Sequence, residues 1–295
     1  MNKYGIFLGC TVPVRAINYE VSFRKICSFF NYDLVDVNDF SCCGYPIKSV
    51  NQFTSFVLSA RNLALAEKNG INTIITLCNA CSEMLTYTNH LMKNNSDVRN
   101  EINSKLKEIG YEYNGTINVK HAARFIYEDI GIEKLREKVT RPLTGLKLAA
   151  YTGCHYTRPS DIYESFDSPE KPETINKIIK ALGAEPIVFE NSCCGGGILG
   201  MKEETAFKMS NTVLSSIKNN NGDGMILICP FCDVMFEQNQ KKIEKTFNNE
   251  FNIPVLYLPQ IIGIALGIPH EEIGLQINRI KLDNLLEKIS EGIRG

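Results

Sequence analysis

A chain of 295 residues, 44% hydrophobic and 22% charged, holds enough apolar material for one large domain or two of ordinary size. Its net charge of −1 gives no electrostatic reason to expect nucleic acid or an anionic membrane surface as a partner. The first residues (MNKYGIFLGC) lack the apolar stretch of a secretory signal, and the longest apolar runs, such as 261–268, are far too short to insert across a bilayer. The expectation is therefore a cytoplasmic protein, whose eleven cysteines stay reduced unless they bind metal or do chemistry.

Residues 4–9 (YGIFLG) predict a short buried strand that ends at Cys10. Pro13 opens a helical stretch to about residue 31. Cys27 shares a face of that helix with Phe23 and Phe30 and reads as a small buried hydrophobe. Residues 33–37 (DLVDV) predict a second strand, followed by Ser41-Cys42-Cys43-Gly44. Asn51 caps a helix to 68 or 69, with Phe53, Phe56, Ala60, Leu63 and Ala64 on its apolar stripe and Gly70 as its stop. Residues 73–77 (TIITL) predict a strand that delivers Cys78, so Cys78-x-x-Cys81 falls at a strand-to-helix turn. Backbone N–H groups at such a turn point at the sulfurs and favour thiolate. A polar helical segment to about 109, a strand at 116–119 and a helix at 121–130 follow. The proline and glycine of 140–145 (TRPLTG) mark a boundary between units 1–141 and 142–295.

The second half repeats this order. Residues 146–151 lead to Cys154; 160–172 form a polar loop holding seven extra residues; a helix stops at Gly183. Strand 186–189 leads to Cys193-Cys194, a helix covers 203–219, strand 225–228 delivers Cys229, and 254–258 with the apolar stretch after Pro259 matches the earlier strand and helix. A charged helix closes the chain. Cys42, Cys43, Cys78 and Cys81 recur 151 residues later as Cys193, Cys194, Cys229 and Cys232, with Cys10 and Cys154 ahead of each set. Alternating strands and helices imply an α/β fold with a mainly parallel sheet, and in such sheets sites gather at the carboxyl ends of the strands, where all ten cysteines of the repeat fall.

Three chemistries compete for these thiols. A structural zinc site takes four ligands, one fewer than each set offers. A Cys-x-x-Cys redox dithiol leaves three cysteines per set unused. Iron–sulfur chemistry accommodates the surplus, although the tight spacing of ordinary ferredoxin clusters is missing.

The double C…CCG…CxxC pattern resembles the cysteine-rich CCG-domain family. With both copies complete, it is most similar to the B subunits of heterodisulfide reductases from methanogenic archaea. The resemblance implies two homologous CCG domains related by pseudo-twofold symmetry. It implies two noncubane [4Fe–4S] clusters, one on Cys10, Cys42, Cys43, Cys78 and Cys81, the other on Cys154, Cys193, Cys194, Cys229 and Cys232. The activity implied is reduction of the coenzyme M–coenzyme B disulfide between the clusters, with no catalytic group beyond them, inside an electron-bifurcating complex of methanogenesis. The implied partners are a ferredoxin-like C subunit, a flavin-containing A subunit and a hydrogenase or formate dehydrogenase.

That substrate carries a sulfonate and a phosphate, and Arg15, Lys48, His155, Arg158 and Lys202 lie within eight residues of a repeat cysteine. Two of these five are expected as anion contacts and the others as solvated charges. Gly195 and Gly196, in a run with Gly197, permit close backbone approach to cluster or substrate. His121 and Arg124 read as part of a domain interface. Two other functions fit the pattern: a CCG subunit of a lactate, glycolate or succinate-type dehydrogenase exchanging electrons with a quinone, and a metal-stabilised scaffold without turnover.

Overall fold

The computed structural model describes residues 2–163 and 166–292. In the first half, short buried runs form strands Tyr4–Phe7 (β1), Leu34–Asp36 (β2), Thr73–Thr76 (β3) and Asn118–His121 (β4). The helices between them are Val12–Arg15 (α1), Ile17–Phe29 (α2), Gln52–Lys68 (α3), Asn79–Asn94 (α4), Ser96–Lys107 (α5), Ala122–Phe125 (α6) and Ile132–Glu137 (α7). The second half repeats the plan with strands Lys147–Tyr151 (β5), Glu185–Pro186 (β6), Gly224–Leu227 (β7) and Val255–Tyr257 (β8). Its helices are Thr174–Ala181 (α8), Glu203–Asn219 (α9), Pro230–Asp233 (α10), Gln240–Phe247 (α11), Leu258–Ala265 (α12) and Asp283–Gly292 (α13).

Among the described residues the strands pair into two parallel sheets of identical order, β2-β1-β3-β4 and β6-β5-β7-β8. Tyr4 of β1 stands between Leu34 and Thr73, and Leu148 of β5 between Pro186 and Gly224. The strands β1, β3 and β7 are buried along their whole length, as parallel strands with helices on both faces must be. This is an α/β fold of two homologous units related by a pseudo-twofold. Each unit's first long helix leans on the helices that follow the other unit's last strand: α2 packs on α12, and α8 packs on α6 and α7. The exchange ties the halves together and turns the carboxyl ends of the two sheets toward each other.

Local departures from the sequence reading have local causes. The helix expected from Pro13 is broken at Ala16, a buried residue whose backbone (φ −138°, ψ 43°) is not helical. The helical segment to 109 is two helices, because the Asn95 side chain accepts the N–H groups of Asp97 and Val98 at 3.1 Å and starts α5 afresh. The helix expected over 121–130 begins as α6 and finishes in a π segment, Ile126–Gly131, and Gly131 (φ +88°, ψ 142°) breaks it from α7. Strand β6 is the edge pair Glu185–Pro186, with Glu185 and Ile187 donating to Leu146 O and Leu148 O of the β5 side and Pro186, which lacks an N–H, turned to the open edge.

Cys27 sits 1% exposed on α2 inside the core, where burial pushes its thiol well up and keeps it protonated. Cys27→Ala is expected to lower unfolding free energy by about 1 kcal/mol in denaturant titrations, with metal content unchanged. Loss of metal would mean that this thiol belongs with the ten.

Candidate functional site

The ten cysteines of the repeat all lie beyond strand ends. Cys78 and Cys229 are the N-cap residues of α4 and α10, with nearly identical extended backbones (φ −139° and −135°). Cys81 and Cys232 follow in the first turn, and their backbone N–H groups bond back to the Cys78 and Cys229 sulfurs. The paired cysteines occupy a sharp turn that only glycine can complete. Gly44 and Gly195 have φ of +92° and +81°, and a Cβ there would stand 2.4 Å from Ser55 O and 2.7 Å from Ala206 O. Each also donates its N–H to a sulfur, Cys42 or Cys193, at 3.4 Å. The halves clamp this turn differently. Asn62 takes Ser41 N–H and gives to Cys42 O, whereas Ser210 bonds Cys194 O and Tyr151 bonds Ser192 O.

The thiols form one thread. Cys42, Cys43, Cys81, Cys78, Cys229, Cys232, Cys194, Cys193 and Cys154 each lie close enough to the next to couple their protonation, and the thread passes from one half to the other at Cys78–Cys229. Cys10 shares a cleft of about 340 Å³ with Cys42, lined by Leu8, Pro13, Val37 and Phe40. A smaller cleft of about 160 Å³ lies beside Cys154 and Cys193, with polar walls from Thr152, Thr157, Arg158 and Asn191. All eleven cysteines of the chain are free. The inner six of the repeat are buried, and Cys10, Cys154 and Cys193 reach the surface.

Hydrogen bonds within the thread decide where negative charge settles. Those from Cys42 and Cys81 pull Cys43 down to about 4, and those from Cys154 and Cys194 pull Cys193 down to about 2. Cys229 falls well below the ordinary thiol range through bonds from Cys232 and Cys78, helped by the backbone N–H of Asn79 from the other half. The donors Cys42, Cys78, Cys81, Cys154 and Cys232 are pushed up in return, and Cys194 rises to about 12. Such a set is soft, electron-rich and short of positive charge, which suits a thiophilic metal group.

Cross-half hydrogen bonds hold the centre. The Ile228 carbonyl, one residue before Cys229, accepts from Tyr19 OH and from His121 Nε2–H, both at 3.1 Å. His121 Nδ1 takes Ala123 N–H at 3.1 Å, which fixes the neutral tautomer. Tyr19 stacks on Tyr257 with ring centres 4.2 Å apart. Asn79 Nδ2 gives to Thr152 O at 2.7 Å, and Tyr45 OH meets His155 Nε2 at 2.8 Å.

His155 and Arg158 stand beside the second set: the field of His155 helps hold Cys193 down, and Arg158 lines its cleft while donating to Pro169 O at 2.8 Å. Lys48 is engaged by buried Glu83 at 2.6 Å and lies over Tyr87. Arg15 is exposed on a separate cleft with Lys242 and Arg279, and Lys202 is exposed ahead of α9. Gly195 and Gly196 both point N–H groups at sulfur. His121 serves the join between halves, and Arg124 pairs with Glu128 over Phe166. Sequence reasoning missed Tyr45, Asn79 and Tyr19. Two carried a signal, since Tyr45 follows Cys-Cys-Gly and Asn79 lies inside Cys-x-x-Cys.

Comparison with known proteins adds a family model described as a cysteine-rich (CCG) domain, which matches residues 4–86 and again 148–237. The chain is 35% identical to the B subunit of the ferredoxin/F420H2-dependent CoB–CoM heterodisulfide reductase of Methanosarcina acetivorans, covering 99% of this chain and 98% of that one. It is 32% identical to the 8-methylmenaquinol:fumarate reductase membrane anchor subunit of Wolinella succinogenes, over 96% of this chain and 99% of that one. A hypothetical protein from Helicobacter pylori shares the fold, with a TM-score of 0.77 at 19% identity over 95% of this chain and 52% of that one.

Two outcomes follow from the geometry. Gly44→Ala and Gly195→Ala should each lose roughly 2–3 kcal/mol of unfolding free energy, whereas Gly110→Ala, which meets nothing within 4 Å, loses less. Burial draws the His121 imidazole from its ordinary 6.5 down to about 4, against the opposing pull of the Cys229 thiolate and the Ile228 carbonyl. The unfolded chain thus binds a proton between these values that the folded chain refuses. Stability from this group is complete above about pH 6.5 and falls by up to about 3 kcal/mol as pH drops toward 4. In denaturant titrations across that range His121→Gln should show a shallower fall; an unchanged slope would contradict the buried neutral ring.

Proposed function

The chain belongs to the cysteine-rich CCG domain family, and from that membership we propose that it is the disulfide-reducing iron–sulfur subunit of a heterodisulfide reductase complex. Two complete five-thiol sets, continuous across Cys78 and Cys229, carry the reading. The donor set fits iron–sulfur clusters better than zinc. Among the described residues no three His, Cys, Asp or Glu side chains close around a single ion, and ten free thiols, nine in one thread and Cys10 in a cleft beside Cys42, suit groups that present several irons. Cys10, Cys42, Cys43, Cys78 and Cys81 would hold one noncubane [4Fe–4S] cluster, and Cys154, Cys193, Cys194, Cys229 and Cys232 the other, in units that join at 141/142.

The reaction proposed is reduction of the coenzyme M–coenzyme B disulfide: the S–S bond breaks, two electrons and two protons are consumed, and two thiols leave. The bound clusters supply the electrons, one each, and a soft iron surface for the sulfurs. The chain's own residues set the geometry. The Ile228 carbonyl, held by Tyr19 and His121, fixes the backbone that carries Cys229. Asn79 ties the first Cys-x-x-Cys turn to the strand end ahead of Cys154. The Tyr45–His155 bond closes the join and keeps bulk water from the inner thiols. His155 and Arg158 are assigned the anionic substrate groups, while Gly195 and Gly196, whose N–H groups face sulfur, let the backbone approach closely. Electrons arrive from partners, a ferredoxin-like C subunit and a flavin-containing A subunit fed by a hydrogenase or formate dehydrogenase.

The likeness to a menaquinol:fumarate reductase subunit supports a second reading, electron exchange with a quinone through the same thiols. No helix among the described residues is long and apolar enough to cross a membrane, so that role would need a membrane partner.

Cys81→Ala and Cys232→Ala separate these readings. Under disulfide reduction across both sets, each variant should lose at least about 100-fold in heterodisulfide cleavage with a viologen donor, a loss of about 2.7 kcal/mol or more in transition-state stabilisation. The cluster of the untouched half should still accept one electron. Near-normal turnover in either variant would reduce that half to a relay, and quinone reduction without disulfide cleavage by the intact complex would decide for the second reading.

A further inference from the structure

Exposed apolar side chains are unevenly placed. Val14 (74% exposed), Ile17 (47%), Val21 (36%) and Ile277 (45%) are four of the large hydrophobics left to solvent among the described residues. They lie together: Val14, Ile17 and Ile277 line one cleft of about 520 Å³, and Val21 lies one turn beyond Ile17 on α2. Arg15, Lys242 and Arg279 rim the same cleft, and none of the three enters an ion pair among the described residues. The acids nearby are already engaged. Glu20 pairs with Arg24, Glu272 pairs with Lys25, and Glu237 is buried, accepting the backbone N–H of Arg279. Asn18, Gln238, Asn239 and the buried Glu237 complete the lining, so the cleft's exposed charges are all positive, and exposed apolar side chains among cations of one sign are the pattern of a protein-docking surface.

The position of the patch says what docks. Helix α1, which carries Val14 and Arg15, follows surface-exposed Cys10 directly, and its Pro13 also lines the Cys10–Cys42 cleft. A partner seated on the patch therefore sits beside the exposed edge of the first cysteine set. We propose that this surface docks an acidic iron–sulfur electron carrier of the ferredoxin class, its carboxylates meeting Arg15, Lys242 and Arg279 around an apolar contact on Val14, Ile17 and Ile277. The identity of the partner as an electron donor rests on the redox reading above; the docking surface itself does not. The step is a one-electron transfer from the reduced carrier to the first cluster, with no bond made or broken.

The test uses the purified, metal-loaded chain and an acidic 2[4Fe–4S] ferredoxin. Calorimetry against oxidised ferredoxin reads binding without requiring turnover. Arg279→Glu, Lys242→Glu and Ile17→Glu should each weaken binding at least about tenfold, and the charge reversals should flatten its dependence on salt. In stopped flow the same variants should slow reduction by ferredoxin to a similar degree, with reduction by methyl viologen, iron content and thermal midpoint unchanged. Unaltered ferredoxin affinity in all three variants would overturn the proposal. So would sedimentation showing a wild-type dimer that Ile17→Glu dissociates, since the patch would then belong to a second copy of the chain. If heterodisulfide turnover is absent while these binding effects hold, the substrate assignment fails and the docking surface stands.

Discussion

The centre of the molecule depends on one carbonyl group. Ile228 ends the run of β7 and precedes Cys229, and its oxygen accepts two hydrogen bonds from the other half, from Tyr19 on α2 and His121 at the end of β4. Those bonds press the carboxyl ends of two parallel sheets against each other. Cys78 and Cys229, each capping a helix that leaves its sheet, are thereby brought side by side, and two sets of thiols become one thread. A carbonyl in this position left without partners would cost on the order of 1–3 kcal/mol. The same bonds that stabilise the join therefore also hold the geometry of the thiols.

The symmetry is close at the sulfurs and loose around them. Both cysteine pairs use a left-handed glycine and a sulfur-directed N–H, yet one turn is clamped by an asparagine and the other by a serine and a tyrosine. The clefts beside the outer cysteines differ more. Leu8, Val37 and Phe40 share the first with Asp36, Asn38 and Ser41, and Thr157, Arg158 and Asn191 line the second. Two equivalent cysteine sets in unlike surroundings suit the proposed unsymmetrical substrate, because identical thiols can then be tuned by different neighbours.

Much of this was legible in the sequence, because it is written in short-range patterns. The helix over 203–219, the Asn51 cap and the delivery of Cys78 and Cys229 by strands follow from periodicity, capping chemistry and the 151-residue repeat. What was not legible is carried by pairs far apart in the chain. Tyr45 and His155, Tyr19 and Ile228, Asn79 and Thr152 meet only once α2 has crossed to α12, and no local pattern announces such contacts. The same distance explains Arg15. Its nearness to Cys10 in sequence suggested an anion contact beside the thiols, and the fold adds Lys242 and Arg279 of the other half to the cleft it lines.

The thiols of the repeat are buried at the centre and exposed at the edges. The account stands on both five-thiol sets holding a cluster of four irons. Iron and acid-labile sulfide, quantified on protein purified without oxygen, test this most directly. About eight iron atoms with matching sulfide per chain are predicted; four iron atoms, or zinc in stoichiometric amount, would contradict it.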